Sequence, residues 1–375
     1  MKVFHCDHCQ QLVSFENTHC VKCEHTLAYL PDLQAVASLE PLVGAPNTWR
    51  AALDAKRTYR LCANYVTHNV CNEAIPSGEP HDLCASCRLT RVIPDLSLPA
   101  NMPLWAKLEA AKRRLLYTLH AVGCAVVNKT DDPERGLTFE FLADPLTPDA
   151  PKVLTGHDDG VITLNIAEAD DAERERRRVQ MYEPYRTLLG HFRHEVGHYY
   201  FDRLVKDSPR LDAFRGLFGD ERADYGGALQ RHYANGAPPD WQARHVSSYA
   251  ASHPWEDWAE TWAHYLNMVD TLETAAACGL SLRPEDAAMP RMKAAPGDPI
   301  ARPFGDLIAS WYPLTYALNS LSRGLGVADV YPFVLSAPAV EKLRFIHETV
   351  ATQPPATLAS NRAEAARPTA ARVLS

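Results

Sequence analysis

No stretch of about 18 consecutive apolar residues occurs in this 375-residue chain, which leaves no candidate transmembrane helix. The first ten residues, MKVFHCDHCQ, also lack the apolar run of a secretory signal, so a cytoplasmic protein with no membrane partner is expected. Positive charge is scarce as well. The chain has 38 Lys and Arg against 46 Asp and Glu, a net charge of -8, whereas a protein built around a phosphate backbone calls for a basic domain. Residues 1 to 90 hold seven basic and nine acidic side chains, no electrostatic footprint for nucleic acid. At 46% hydrophobic, the sequence can fill one large core or two moderate ones.

Cysteine is almost missing beyond residue 87, where only Cys124 and Cys278 occur and read as buried, inert thiols. The other eight are crowded between Cys6 and Cys87, a clustering that favours metal over disulfides in a cytosolic chain. Cys6-Asp-His-Cys9 and Cys20-Val-Lys-Cys23 are two knuckles that can supply four thiolates to one structural zinc. A segment of about 30 residues is too small to fold without such an ion. His5, His8, His19 and His25 flank the knuckles but are not needed once four cysteines are present.

Cys62, Cys71, Cys84 and Cys87 form a second candidate set for a structural zinc, with His68 and His81 in reserve. A closed four-ligand site has no open position, so both modules read as structural, or as docking points for a protein partner. Between them, roughly residues 30 to 58, three prolines suggest a linker with one short helix.

From residue 101 the pattern changes. LWAKLEAAKRRLLYTLHAVG (104 to 123) has helical spacing and ends at a glycine. GLTFEFLAD (136 to 144) and GVITLNIAEAD (160 to 170) alternate like half-buried strands, with the turn signal HDDG before the second. Residues 172 to 205 read as a helix interrupted near Pro184, and helices are expected over 223 to 233, 255 to 269 and 306 to 324. The stretch from 351 to 375 has too little apolar content to pack and reads as a disordered tail. The order is α+β: helix, mixed strands, a motif helix and a helical C-terminal lobe, the order of a zincin-like domain over 101 to 350. It follows a zinc ribbon (1 to 30) and a linker with a second four-cysteine zinc module (31 to 100).

The motif helix carries HFRHEVGHYYFD, residues 191 to 202. His194 and His198 are four apart on one helical face, so both imidazoles can grip a single zinc while Glu195 reaches a water bound to it. A metzincin would continue with a glycine and a third histidine where this chain has Phe201 and Leu204, so the third ligand must come from farther away. The stretch SSYAASHPWEDWAETWAHY (247 to 265) offers it. Pro254 suits a first helical turn, and Glu256 and Glu260 then share a face, one able to bind metal and the other to orient a histidine. Tyr249, just before that helix, can aim its phenol at a substrate carbonyl.

HEVGH followed by Tyr249, Glu256 and Glu260 resembles the catalytic domain of the anthrax lethal factor toxin and its relatives. The chain as a whole, with CDHC, CVKC, CASCRL, HEVGHYYFD and HPWEDWAETWAHYL, resembles bacterial zinc-binding metallopeptidases with an N-terminal zinc ribbon. The toxin resemblance implies zinc ligands His194, His198 and Glu256, a general base at Glu195, a transition-state stabiliser at Tyr249 and an orienting role for Glu260. The gap between His198 and Tyr249 is longer here, so the intervening loop need not match.

The expectation is a zinc metallopeptidase of gluzincin type acting on a peptide or protein substrate, with one catalytic and two structural zinc ions. Two alternatives stay open at this point: a ribbon adaptor with a non-catalytic zincin scaffold, and a hydrolase of an isopeptide or other amide bond.

Overall fold

The computed structural model describes residues 1–145, 147, 151–180, 183, 185–293 and 300–353. The tail expected from 351 onward lies outside the described residues after 353, and so does Pro184.

The first ribbon consists of a short hairpin, β1 (Phe4–His5) with β2 (Leu12–Val13), and the two knuckles. The expected linker is not one. β3 (Thr26–Leu30), β4 (Ala35–Pro41), β5 (Trp49–Ala51) and β6 (Asp54–Leu61) run antiparallel in sequence order, α1 (Ala63–His68) follows, and β7 (Ala74–Pro76) completes a five-stranded sheet. Its core buries Leu30, Leu39, Ala51 and Tyr59, an apolar set spread over four strands. The prolines misled because Pro31 and Pro46 lie between strands and Pro41 ends one, positions where a missing N–H does no harm.

The second cysteine module continues through α2 (Ala85–Arg88) into β8 (Thr90–Val92). After α3 (Asn101–Ala121) come β9 (Thr138–Leu142), β10 (Gly156–Asp158) and β11 (Val161–Asn165). These strands form one sheet in the order β10-β11-β9-β8, with β8, β9 and β11 parallel and β10 antiparallel at the edge. β8 therefore belongs to the sheet of the large domain, ahead of the boundary expected at residue 101.

Side chains reinforce the join. Val70 and Leu89 are buried in the same core as Trp105, Leu108, Leu115 and Leu119 of α3. Arg113 donates to the Val70 carbonyl at 2.7 Å, and Thr90 donates to Glu109 at 2.8 Å. Glu109 in turn holds the fully buried Lys112 at 2.8 Å.

The remainder is helical: α4 (Asp171–Gln180), α5 (Leu188–Leu204), α6 (Leu211–Phe218), α7 (Tyr225–Asn235) and α8 (Pro254–Ala277). A short hairpin, β12 (Ser281–Leu282) with β13 (Met292–Lys293), precedes α9 (Phe304–Gly324) and α10 (Ala337–Ala351). Among the described residues, no helix is long and apolar enough to cross a membrane.

α5 and α8 pack face to face at the centre, burying Phe192, Val196 and Tyr200 against Trp258, Trp262 and Tyr265. Phe192 and Val196 each contribute about 1.5–3 kcal/mol when fully buried. The helix crossing depends on Gly197. A β-carbon there would lie 3.0 Å from Ala259 Cα and 3.2 Å from Trp262 Cβ, so the bare backbone lets the helices touch. The contact is fastened by Trp258, whose indole donates to the Gly197 carbonyl at 2.8 Å.

Candidate metal centre

α5 starts at Thr187, whose hydroxyl accepts from Gly190 N, and it presents His194 and His198 one turn apart. α8 starts at His253, whose Nδ1 accepts from Trp255 N, with Pro254 in its first turn. That start sets Glu256 in the first turn, where the positive end of the helix favours a carboxylate. A buried ion pair fixes the same turn from behind. Lys342 of α10 holds Asp257 at 2.5 Å, and His245 contacts the same oxygen at 3.1 Å.

Because α5 and α8 touch at Gly197, the two carboxylates of α8 reach the histidines of α5. Glu256 Oε2 lies 3.0 Å from His194 Nε2 and 3.5 Å from His198 Nε2. All three ligand atoms fall within 4.8 Å of one another. Zinc–nitrogen and zinc–oxygen bonds of about 2.0–2.2 Å around a tetrahedron put neighbouring donors roughly 3.3–3.6 Å apart; the 3.5 Å separation falls in that range and the 3.0 Å one just short of it. Glu256 Oε2 is buried with these two imidazole nitrogens as its near neighbours, and a buried carboxylate oxygen costs stability unless positive charge faces it.

The surrounding groups orient the donors. Glu260 Oε1 meets His194 Nδ1 at 2.8 Å, and its other oxygen accepts from the Ser247 hydroxyl at 2.6 Å. Tyr225 donates to Glu256 Oε1 at 2.6 Å, so that oxygen is turned away from the histidines. The Trp255 ring lies over His198 with centroids 3.8 Å apart. Burial opposes charge on His194, but the carboxylates of Glu256 and Glu260 beside it outweigh this and hold the imidazole pKa well above its ordinary value. Burial likewise works against ionised Glu256, and the two histidines overcome it, pulling that carboxyl well below the usual range. The pocket is built to hold positive charge.

Glu195 is buried beside the three donors. Desolvation raises its pKa, opposed by His194 and His198, which gives a carboxylate that takes a proton more readily than a surface one. The Tyr249 ring lies 5.9 Å from that of His194. Burial first, and then the Glu256 charge, push its phenol pKa far up, so it stays a hydrogen-bond donor. Glu195, Tyr249, Tyr233 and Arg186 line a cavity of about 210 Å³ at the donor cluster. A neighbouring one of about 680 Å³ shares Glu183, Tyr233, Tyr249 and Phe333 and extends past Trp241.

Other acidic and histidine side chains nearby are engaged elsewhere. Glu221 pairs with Arg215 at 2.5 Å, His253 caps α8, and His264 meets the Tyr331 hydroxyl at 2.7 Å.

The cysteines converge as two separate clusters. Cys6 and Cys23 have sulfurs 3.6 Å apart, Cys9 and Cys20 3.5 Å, and Cys71 and Cys84 3.7 Å. Zinc–sulfur bonds of about 2.3 Å predict an edge of about 3.8 Å, so both sets have the size of a zinc tetrathiolate. Each set has its four ligand atoms within 4.8 Å of one another, although only Cys84 and Cys87 of the second set have knuckle spacing. His68 is not drawn in; its ring lies against Trp105 at 5.4 Å. Of the two remaining cysteines Cys124 is buried as expected, but Cys278 is exposed, because it caps the C-terminal end of α8.

Tyr225, Trp255, Ser247 and Gly197 had escaped sequence reasoning. For Tyr225 no spacing signal exists, since it lies on α7, 31 residues before the carboxylate it touches. The glycine could have been suspected, standing between Glu195 and His198 where helix propensity disfavours it.

Comparison with known proteins identifies the two parts of the chain. Residues 101–349 match the family described as "Putative zinc-binding metallo-peptidase", and residues 3–98 match a zinc-ribbon domain. Uncharacterized proteins of Mycobacterium tuberculosis and Mycobacterium bovis are each 44% identical over 351 residues, covering 93% of this chain and 95% of the relative. No solved structure matches the chain.

Proposed function

From the premise that the chain belongs to this zinc-binding metallo-peptidase family, we propose that it hydrolyses peptide bonds as a gluzincin, with His194, His198 and Glu256 holding the catalytic zinc. The observation that carries the reading is the buried Glu256 Oε2 facing two imidazole nitrogens, with Glu195 beside it.

A zinc ion in this donor set would supply Lewis acidity, lowering the pKa of a water at its open position to about 7 and polarising a carbonyl. Glu195 accepts the proton of the attacking water and returns it to the leaving amine. Its raised pKa suits both steps. Tyr249, kept protonated by burial, donates to the oxygen on which negative charge develops. Glu260 keeps His194 oriented with Nε2 toward the donors, and Tyr225 does the same for Glu256.

The two cysteine clusters hold structural zinc, making three ions per chain. The gathering of eight cysteines into two metal-sized sets supports a cytoplasmic setting, where thiols stay reduced.

The test is a proteome-wide search for new protein termini after exposure to the wild-type chain and to Glu195→Gln. New termini with the wild type alone are expected, and they would report the sequence preference. Identical termini in both samples would remove Glu195 as the base. New amine-side ends confined to lysine side chains would redirect the reading to isopeptide bonds.

A further inference from the structure

A second group of metal-binding side chains lies on the outside of the first ribbon. His8 sits inside the first knuckle, His25 follows the second, and Glu40 lies on β4 of the five-stranded sheet. Each offers one ligand atom, and the three atoms lie within 4.8 Å of one another. The two imidazole rings stand 3.8 Å apart, inclined by 25°.

Three separate constraints bring these side chains together. Each knuckle closes with a left-handed residue, Gln10 at φ 63° and Glu24 at φ 59°, whose N–H bonds back to Cys6 and Cys20 respectively at 2.8 Å. Both histidines are therefore fixed to the folded ribbon. Asp7, the neighbour of His8, accepts from Ser38 N at 2.7 Å, which ties the first knuckle to β4. Ser38 and Glu40 are two residues apart on that strand and share a face, so the tether that holds Asp7 also delivers Glu40 to His8. His25 Nδ1 lies 3.2 Å from the Cys23 carbonyl. Such a bond consumes the Nδ1 proton and leaves Nε2 as a free lone pair, the orientation that metal-binding histidines adopt.

We propose that His8, His25 and Glu40 form a metal site distinct from the two cysteine clusters and from the centre on α5 and α8. It takes a divalent first-row cation of the zinc type, with solvent at its remaining positions. Two imidazoles and one carboxylate suit zinc, nickel or copper better than magnesium or calcium. The competing interaction is weak: Arg50 stands opposite Glu40 in the strand register, and an exposed pair of that kind contributes little. The thiolate cluster next to it carries net negative charge when zinc-filled, which adds to the attraction for a further cation. His8 and Glu40 are exposed, so ions exchange freely here, unlike at the buried Cys6 and Cys20.

The experiment uses the full chain, loaded with zinc and dialysed until only tightly held ions remain, then titrated with zinc chloride by calorimetry. The wild type should bind one more equivalent than His8→Ala/His25→Ala, with the dialysis-resistant zinc equal in both. Glu40→Gln, which leaves the ribbon untouched, should weaken that equivalent by tenfold or more. Equal uptake by wild type and double variant would overturn the site, and so would an unchanged affinity in Glu40→Gln. If the double variant also loses dialysis-resistant zinc, Glu40→Gln decides alone. Copper bound in its place should show two nitrogen ligands by electron paramagnetic resonance, and a signal without nitrogen coupling would count against it.

Discussion

The Tyr225 hydroxyl and Glu256 Oε1 meet at 2.6 Å, and that hydrogen bond leaves Oε2 as the oxygen facing His194 and His198. The carboxylate is thus divided between an orienting partner and the two imidazoles. Tyr225→Phe should fold normally and bind the catalytic zinc roughly 10- to 100-fold more weakly, the usual effect of losing a group that orients a ligand. Glu256→Ala should purify with two zinc ions instead of three. Zinc counts by mass spectrometry check both, and an unchanged zinc affinity in Tyr225→Phe would make its contact with Glu256 incidental.

Tyr249→Phe should keep all three zinc ions and lower kcat by roughly tenfold to a thousandfold, with KM little changed, as expected for one donor to a developing oxyanion. Steady-state kinetics on a peptide found by the terminus search would measure it. A loss confined to KM would instead mark Tyr249 as a substrate-binding aromatic.

Gly197→Ala tests whether the helix contact builds the site. The added carbon meets Ala259 Cα at 3.0 Å, a backbone atom that cannot rotate away. Overpacking of this kind costs about 1–3 kcal/mol, and α8 should move away from α5. Urea denaturation should show the lower stability, and zinc affinity at the catalytic centre should fall with it. Reduced stability with full zinc affinity would separate the packing from the site.

Cys84→Ser and Cys6→Ser should behave differently. The first cluster packs with its own ribbon, with Leu27, Tyr29 and Val36 of the five-stranded sheet and with Tyr117, whereas the second shares Val70, Leu89 and β8 with the large core. Arg113 strengthens the link, since burial disfavours its charge and the Cys71, Glu109 and Glu73 charges restore it. Limited proteolysis of Cys6→Ser should leave a stable fragment containing residues 60 to 350, while Cys84→Ser should lower the melting temperature of the whole chain. A stable fragment beginning near residue 100 in Cys84→Ser would show the second module to be detachable.

Lowering the pH should weaken the fold through His264. Burial pushes its pKa down to about 4, while the unfolded chain takes up that proton at about 6.5. Between those values the unfolded state binds more protons, so stability falls as the pH drops and is fully present only above about 6.5. Linkage gives a loss of about 2 kcal/mol by pH 5 from this group. Urea midpoints at pH 7 and pH 5 should converge in His264→Gln relative to the wild type. An equal drop in both proteins would assign the acid sensitivity to other groups.

The sequence by itself determined the parts of this protein that depend on local spacing. The four-residue step from His194 to His198 fixes two imidazoles on one face of any helix, and a Cys-x-x-Cys turn sets two thiols close together wherever it folds. The alternation in 138–142 and 161–165 marked strands, and Pro254 marked the start of α8. Tertiary structure decided what those pieces meet. Pairing β8 with β9 joins the second module to the large sheet across the whole length of α3, and nothing local to Thr90–Val92 announces it. Glu256 and Glu260 share a helical face, so spacing leaves their roles interchangeable. The depth at which α8 crosses α5, fixed by Gly197 against Ala259, brings Glu256 to both Nε2 atoms and Glu260 to His194 Nδ1. Tyr225 reaches Glu256 only because α7 folds back over the start of α8, a contact set by packing between distant segments rather than by any period in the chain.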